Sequence, residues 1–331
     1  MLMFALHLFA FPEWLADGST FVSLPLCTKT AAYFIGKFGG ICIGMFMFLT
    51  GYGMYYSYQK GNSFRISIRK AVNFLLKYWI LLFTFFLPIQ ALMGRTDFNP
   101  SKWVQELFGI YTSIVGFAWY VRFYTLTMLT LPLLINMIRK KTVYSVIFAI
   151  VPFQCIALLL RILSTKIVFH NTGAIAAEYF KYISVVLLGY CFAKFELFDK
   201  WNKLLQKYHL NSIFTCIIGI VILFILRVKL YDETNIYLPN MDIAYVPILV
   251  FCIIKIVNHT KMNPILKCLE IIGNNSMNLW FLQSVFFFET KNLQWIVYLP
   301  QISVLVLMWN IVILLPISEI YNMIYKKLRI L

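Results

Sequence analysis

His7 is the side chain of this sequence best suited to proton transfer. It lies within the apolar run of residues 1–11, and an unperturbed imidazole has a pKa of about 6.5. An imidazole that faces a polar cavity can act as a general base towards a hydroxyl group. The other interpretation is structural, with the imidazole bonded to a carbonyl group of a neighbouring helix. The local sequence leaves both interpretations open.

Arg122 and Ser276 are candidates for stabilising negative charge during a reaction. Arg122 follows Trp119 and Tyr120 in an apolar segment, where a guanidinium group can hold an oxyanion. Ser276 begins a later apolar segment that leads to Trp280, and free amides at a helix start can bind an anion. Both residues also have simpler roles, because Arg122 can reach the membrane interface and Ser276 can cap its helix.

A basic cluster leads into the third apolar segment and contains Arg65, Arg69, Lys70 and Lys77. Guanidinium groups bind phosphate through paired hydrogen bonds. Arg65, Arg69 and Lys70 are therefore candidates for binding a phosphate-bearing co-substrate. Orientation of the protein in a membrane is the alternative role of the cluster.

Long apolar helices must position these side chains. The sequence is 61% hydrophobic and 13% charged, whereas soluble domains contain about 25% charged residues. Apolar segments of about 20 residues can cross a bilayer as helices. The sequence therefore predicts an all-α, polytopic integral membrane protein with a single domain over residues 1–331. About ten transmembrane helices are predicted, at residues 1–12, 36–58, 72–94, 116–138, 143–162, 174–193, 211–229, 241–257, 274–290 and 297–325. Glu289 and Glu319 lie in the last two, where an edge charge and a buried partner are both open interpretations.

The distribution of charge predicts the orientation of these helices. More than half of the 29 Lys and Arg residues fall in segments that follow every second span, including Lys326, Lys327 and Arg329 at the C-terminus. Basic residues near span ends are retained in the cytoplasm. Both termini are therefore expected to be cytoplasmic. The formal net charge of +16 reflects this topology and does not indicate a nucleic-acid partner.

Several short segments share their order and spacing with one known family. They are His7, residues 46–52, residues 69–70, residues 119–120, residues 187–190 with 193–194, and Gly273-x-x-Ser276-x-x-x-Trp280. Together they resemble the acyltransferase 3 family, membrane proteins that O-acylate extracytoplasmic carbohydrates. Each motif is weak alone, but the resemblance covers essentially the whole chain.

The resemblance implies transfer of an acyl group, acetyl in the simplest case, from cytoplasmic acyl-CoA to a carbohydrate hydroxyl group. His7 would be the general base, and Arg122 or the amides at Ser276 would stabilise the oxyanion. No metal and no permanently bound cofactor is expected, and the implied location is a bacterial plasma membrane. The acyl-CoA phosphates would be held by Arg65, Arg69 and Lys70, and the acceptor would be lined by Trp14, Trp119, Tyr120 and Trp280.

The chain departs from the family pattern at two positions. Relatives carry an Arg well before the His of the first helix, and here His7 is too close to Met1 for that position to exist. We therefore expect that the start of the first helix is missing. Gln283 stands where many relatives have a His, which leaves its role open.

Two alternatives to an enzyme remain on sequence grounds. A transporter or flippase for a lipid-linked saccharide would also have many spans, a basic inner face and polar groups within the membrane. A non-catalytic membrane relative is the other alternative, because the Arg of the family is absent.

Overall fold

The computed structural model describes the chain except for residues 17–19, 27–28, 95–98, 139–141, 167–169, 234–240, 261–262, 290–292 and 331. Within helices, the side chains at 165–166, 170–172, 230–233, 260, 263, 265 and 288–289 are also left out. Helices account for 82% of the structure, which confirms the predicted all-α class. The only described strands, β1 (Pro25–Leu26) and β2 (Lys29–Thr30), form a short antiparallel pair.

The helices follow one another along the chain with short connections. They are α1 (Leu2–Phe9), α2 (Ala31–Gly39), α3 (Ile41–Tyr58), α4 (Ser63–Leu81), α5 (Leu87–Leu92), α6 (Pro100–Leu107), α7 (Trp119–Ile138), α8 (Val143–Lys166), α9 (His170–Lys194), α10 (Leu197–Lys207), α11 (Ile213–Glu233), α12 (Asp242–Thr260), α13 (Asn263–Asn274), α14 (Ser276–Leu282), α15 (Gln294–Tyr298) and α16 (Ser303–Lys327). A 3₁₀ turn covers Pro12–Trp14, and π-helical turns cover Leu82–Phe86 and Val285–Glu289.

Seven helices of the described part are long and apolar enough to cross a membrane. They cover Ala31–Tyr58, Ser63–Leu92, Trp119–Ile138, Val143–Ser164, Gly173–Lys194, Asp242–His259 and Ser303–Lys327. Each coincides with one of the predicted spans, so the chain has the helices of a polytopic membrane protein. The total of ten remains a prediction. The first predicted span contains the eight-residue α1, and the ninth is divided between α14 and a π-helical turn.

Contacts between residues divide the chain into two compact units. Unit 1 contains Met1–Gly39, Ser67–Leu129 and Asn263–Leu331, and unit 2 contains Gly40–Ile66 and Thr130–Met262. The sequence predicts a single domain, and the structure assembles each unit from stretches that are separate along the chain.

In unit 1, α1 packs against α2 at two glycines. A Cβ atom at Gly36 would lie 2.8 Å from the carbonyl oxygen of Ala5, and a Cβ atom at Gly39 would overlap the carbonyl oxygen of Leu2. Backbone atoms cannot rotate out of the way, so only glycine allows the two helices to approach this closely. The contact determines where His7 lies within unit 1.

In unit 2, α3 and α9 cross at two glycines, and both lie in segments that resemble the acyltransferase 3 family. A Cβ atom at Gly51 would overlap the carbonyl oxygen of Val186, and a Cβ atom at Gly189 would overlap that of Phe48. Small residues allow such close helix crossings in membranes. Close packing of α3 on α9 is therefore a sufficient physical reason for glycine at both positions.

A buried ion pair joins α11 to α12 in unit 2. Nε of Arg227 donates to Oδ1 of Asp242 at 2.9 Å, and Nη2 donates to Oδ2 at 3.3 Å. The two side chains are 8% and 15% exposed. An isolated charge is costly in a membrane helix, so the ion pair reduces the free-energy cost of burying each of the two charges.

Candidate functional site

His7 lies inside a group of aromatic rings in unit 1. Its imidazole stacks on the Phe117 ring with centroids 3.9 Å apart and planes inclined by 12°. Trp14 and Phe287 follow at centroid distances of 6.0 Å and 6.4 Å. We call Trp14, Phe117 and Phe287 the aromatic box. The His7 side chain is only 6% exposed, and its Nδ1 atom is buried without a hydrogen-bond partner among the described residues.

Gln283 adds unpaired polar atoms beside the imidazole, and Ser284 follows it in the chain. The carboxamide of Gln283 is the polar neighbour of His7, but its position falls outside hydrogen-bond geometry. Oε1 and Nε2 of Gln283 and Oγ of Ser284 are buried and have no hydrogen-bond partner in the described part of the chain. A buried polar group left unpaired costs about 1–3 kcal/mol, and folded proteins contain few of them. The unpaired carboxamide next to His7 favours this region as a ligand site.

A change in helix geometry positions Gln283. The helix α14 ends at Leu282, and the chain continues into the π-helical turn Val285–Glu289. Such turns widen a helix and occur frequently at functional sites. The same turn supplies Phe287 to the aromatic box, so the interruption of this helix brings both a ring and a carboxamide to His7.

Gln294 holds the segment that carries Trp14. Its Nε2 donates to the carbonyl oxygen of Trp14 at 3.0 Å, and its Oε1 accepts a hydrogen bond from the amide of Ala16 at 2.5 Å. The Gln294 side chain is fully buried. Four residues further on, Tyr298 donates its hydroxyl to the carbonyl oxygen of Leu8 at 2.9 Å. The start of the chain is thus bonded to a segment near its end.

The structure brings three of the four predicted acceptor-lining residues together in unit 1. Trp280 lies 4.5 Å from Tyr120 and 5.9 Å from Trp119, measured between ring centroids. Tyr120 and Trp280 are buried, whereas Trp119 is half-buried. Trp280 precedes Gln283 by one helical turn, so α14 contributes to both groups of residues.

Arg122 contacts the loop that precedes its helix. Its Nη1 donates to the carbonyl oxygens of Gly109 and Ile110, at 3.4 Å in each case. Gly109 has a φ of +65°, and a Cβ atom there would overlap the carbonyl oxygen of Ala118. The half-buried guanidinium group therefore has a structural role in this loop beside its predicted oxyanion role.

Glu106 organises the same loop. Its Oε1 accepts hydrogen bonds from Oγ of Ser113 at 2.7 Å and from the amide of Ile114 at 3.0 Å. Its Oε2 is buried without a partner among the described residues. Burial raises the pKa of Glu106, although the hydrogen bonds from Ser113 and Ile114 act in the opposite direction. The protonated form is therefore favoured relative to an exposed glutamate.

Ser276 lies next to a network that joins α14 to α16. Oδ1 of the buried Asn275 accepts hydrogen bonds from Ser318 and Asn322, and Nδ2 of Asn275 donates to Glu319 at 2.5 Å. Ser276 itself is half-buried and begins a helix of seven residues. Glu319 is thus a bonded partner in this network, while the side chain of Glu289 lies outside the described residues.

The predicted phosphate-binding residues occupy the first two turns of α4. Asn62 caps the helix, because its Oδ1 accepts hydrogen bonds from the amides of Phe64 and Arg65. Arg65 and Arg69 are exposed and are one helical turn apart, and Lys70 is half-buried. Their charged groups are therefore accessible to an anion.

Several of these residues gave no sequence signal. Gln294 and Glu106 act through partners that cannot be identified from their neighbours in the chain, and Ser284 is one of many serines. Gln283 did give a signal, as a departure from the pattern of the family that the chain resembles. The described part of the chain contains no cluster of three His, Cys, Asp or Glu residues that could hold a metal ion.

No family model, curated protein or solved structure matches this chain. The resemblance to the acyltransferase 3 family therefore stays a prediction that depends on the motifs.

Proposed function

We propose that this protein transfers an acyl group from acyl-CoA to a hydroxyl group of a carbohydrate at the cell membrane, with His7 as the general base. The observation that carries the proposal is the environment of His7. A buried imidazole with an unpaired Nδ1 lies among aromatic rings and beside the unpaired carboxamide of Gln283. Such a site lacks hydrogen-bond partners that a polar substrate can supply.

The reaction needs one proton acceptor in contact with the attacking hydroxyl group. The hydroxyl oxygen forms a bond to the thioester carbonyl carbon while its proton passes to His7. The carbon–sulfur bond then breaks, and the thiolate takes the proton back from His7. A correctly placed general base contributes about 10²–10⁴-fold to such a rate.

The exposed basic residues and the aromatic residues support different binding places for the acyl-CoA donor and the carbohydrate acceptor. Arg65 and Arg69 offer exposed guanidinium groups on the basic side, which is the cytoplasmic side in the proposed orientation. Acyl-CoA carries several phosphates and is made in the cytoplasm. The half-buried Trp119, packed on Trp280, offers an aromatic face of the kind that suits a sugar ring.

The test is an acyl-transfer assay on purified protein in proteoliposomes. Radiolabelled acetyl-CoA is supplied with surface polysaccharide of the host, and label in the polysaccharide is measured. His7→Gln should reduce transfer by about 10²-fold or more because the base is lost. His209→Asn is the matched control, since His209 is an exposed histidine of the other unit, and it should retain wild-type transfer.

Three results would contradict the proposal. Full activity of His7→Gln would exclude His7 as the base. Movement of a lipid-linked saccharide across the membrane, without any labelled product, would favour a transporter. A wild-type protein that neither labels nor moves carbohydrate would support a non-catalytic relative.

A further inference from the structure

Two neighbouring residues of the chain carry buried polar atoms without partners, and one of them, Gln283, lies beside His7. Gln283 is 1% exposed and Ser284 is fully buried. Both amide atoms of Gln283 lack hydrogen-bond partners within the described residues, as does Oγ of Ser284. A glutamine that served only to stabilise the fold would be expected to use at least one of its amide atoms. The side chain is therefore available to a bound molecule.

The surroundings of Gln283 restrict what that molecule can be. The aromatic box presents mainly apolar ring surface to His7, and Phe117 covers one face of the imidazole. A ligand that satisfies Gln283 must accept a hydrogen bond from Nε2 or donate one to Oε1. The carbonyl oxygen of an acyl group accepts a hydrogen bond, and an attacking hydroxyl group donates one, so the two reactants together meet this requirement.

Arg122 and the amides at Ser276 are the other candidate donors for the oxyanion. Arg122 donates to the carbonyl oxygens of Gly109 and Ile110. Ser276 begins a seven-residue helix whose first turn is bonded to α16 through Asn275. The carboxamide of Gln283 differs from both, because it is the polar neighbour of His7 and its donor has no partner in the described part of the chain.

We infer that Gln283 donates its Nε2 hydrogen bond to the carbonyl oxygen of the acyl group as negative charge develops there. The inference rests on the proposed acyl transfer. When the hydroxyl oxygen bonds to the carbonyl carbon, the π electrons of the carbonyl move to its oxygen, which Nε2 of Gln283 stabilises. The carbon–oxygen double bond re-forms as the carbon–sulfur bond breaks. Gln283 keeps its protons throughout, and the transferred proton is carried by His7 alone.

The test compares two substitutions at Gln283 in the proteoliposome assay. Gln283→Met and Gln283→Leu both keep a similar volume and lose both hydrogen-bonding groups. Both should lower kcat by about 10²-fold, the effect of removing one oxyanion donor, while the KM values for acetyl-CoA and polysaccharide change little. Gln206→Met, at an exposed site, should leave kcat unchanged.

Thermal stability separates this role from a structural one. Because the amide of Gln283 is buried and unpaired, Gln283→Met should unfold at the same temperature as the wild type or at a higher one. A lower unfolding temperature, or failure to fold, would overturn the inference by showing that the amide supports the fold. It would equally be overturned by an unchanged kcat, or by a raised KM with unchanged kcat. A wild-type protein without transfer would instead contradict the proposed function.

Discussion

Replacing Gln294 by Met should release the segment that carries Trp14 without unfolding unit 1. Gln294 accepts a hydrogen bond from the amide of Ala16 at 2.5 Å and donates one to the carbonyl of Trp14 at 3.0 Å. A third, to the carbonyl of Phe286, is long at 3.4 Å. With about 1 kcal/mol for each of the two shorter bonds, the segment is destabilised by about 2 kcal/mol. Its open state should become about 30-fold more populated.

Hydrogen exchange, measured by mass spectrometry in lipid nanodiscs, reports this opening. Because the amide of Ala16 loses its acceptor, peptides that cover residues 12–16 should exchange about 30-fold faster than in the wild type. Peptides from α16 should keep their rates, and Gln206→Met should behave as the wild type. Unchanged exchange of residues 12–16 would refute the assigned role of Gln294. Faster exchange throughout unit 1 would also refute it, since Gln294 would then support the whole unit.

Three further predictions concern stability. Burial raises the pKa of Glu106 above its ordinary 4.5, so the wild-type unfolding temperature should fall as the pH rises above that value. Glu106→Gln should remove this pH dependence. Identical pH profiles of the unfolding temperature for the variant and the wild type would contradict this. Arg227→Met should lower the free energy of unfolding by about 3–5 kcal/mol, because it leaves Asp242 unpaired. The double variant Arg227→Met with Asp242→Leu should recover most of the lost stability. No recovery would show that loss of the ion pair is not the cause. Gly51→Ala should abolish the yield of monodisperse protein, because its Cβ atom would overlap the backbone of α9. Gly53→Ala should be tolerated, since no atom lies within 4 Å of a Cβ atom there. Equal yields of the two variants would exclude the close crossing of α3 and α9.

The helices were largely predictable because a bilayer imposes length and apolarity on each of them. Seven predicted spans coincide with long apolar helices of the described chain. The sequence predicts the ninth span, residues 274–290, as one helix. Hydropathy does not register that α14 ends at Leu282 and that a π-helical turn follows, because backbone geometry changes there without a change in composition.

The candidate site was predictable only in part. His7 was identifiable as a costly polar residue in an apolar run, but its partner Gln283 is distant along the chain and could be placed only by folding. The contact of Trp14 with His7 depends on Gln294, a bond across 280 residues. For Gly51 the motif was visible in the sequence, and the reason for it, a backbone contact with α9, required the structure.

Unit 1 draws on the beginning, the middle and the end of the chain, and this has a consequence for biosynthesis. Every residue of unit 2 has been made once the ribosome passes Met262. His7 is translated before unit 2, whereas Gln283, Phe287 and Gln294 follow it. Since chains fold from the N-terminus during synthesis, α1 must wait in the nascent protein for partners that emerge after Met262. The surroundings of His7 are therefore completed only after unit 2 has been made.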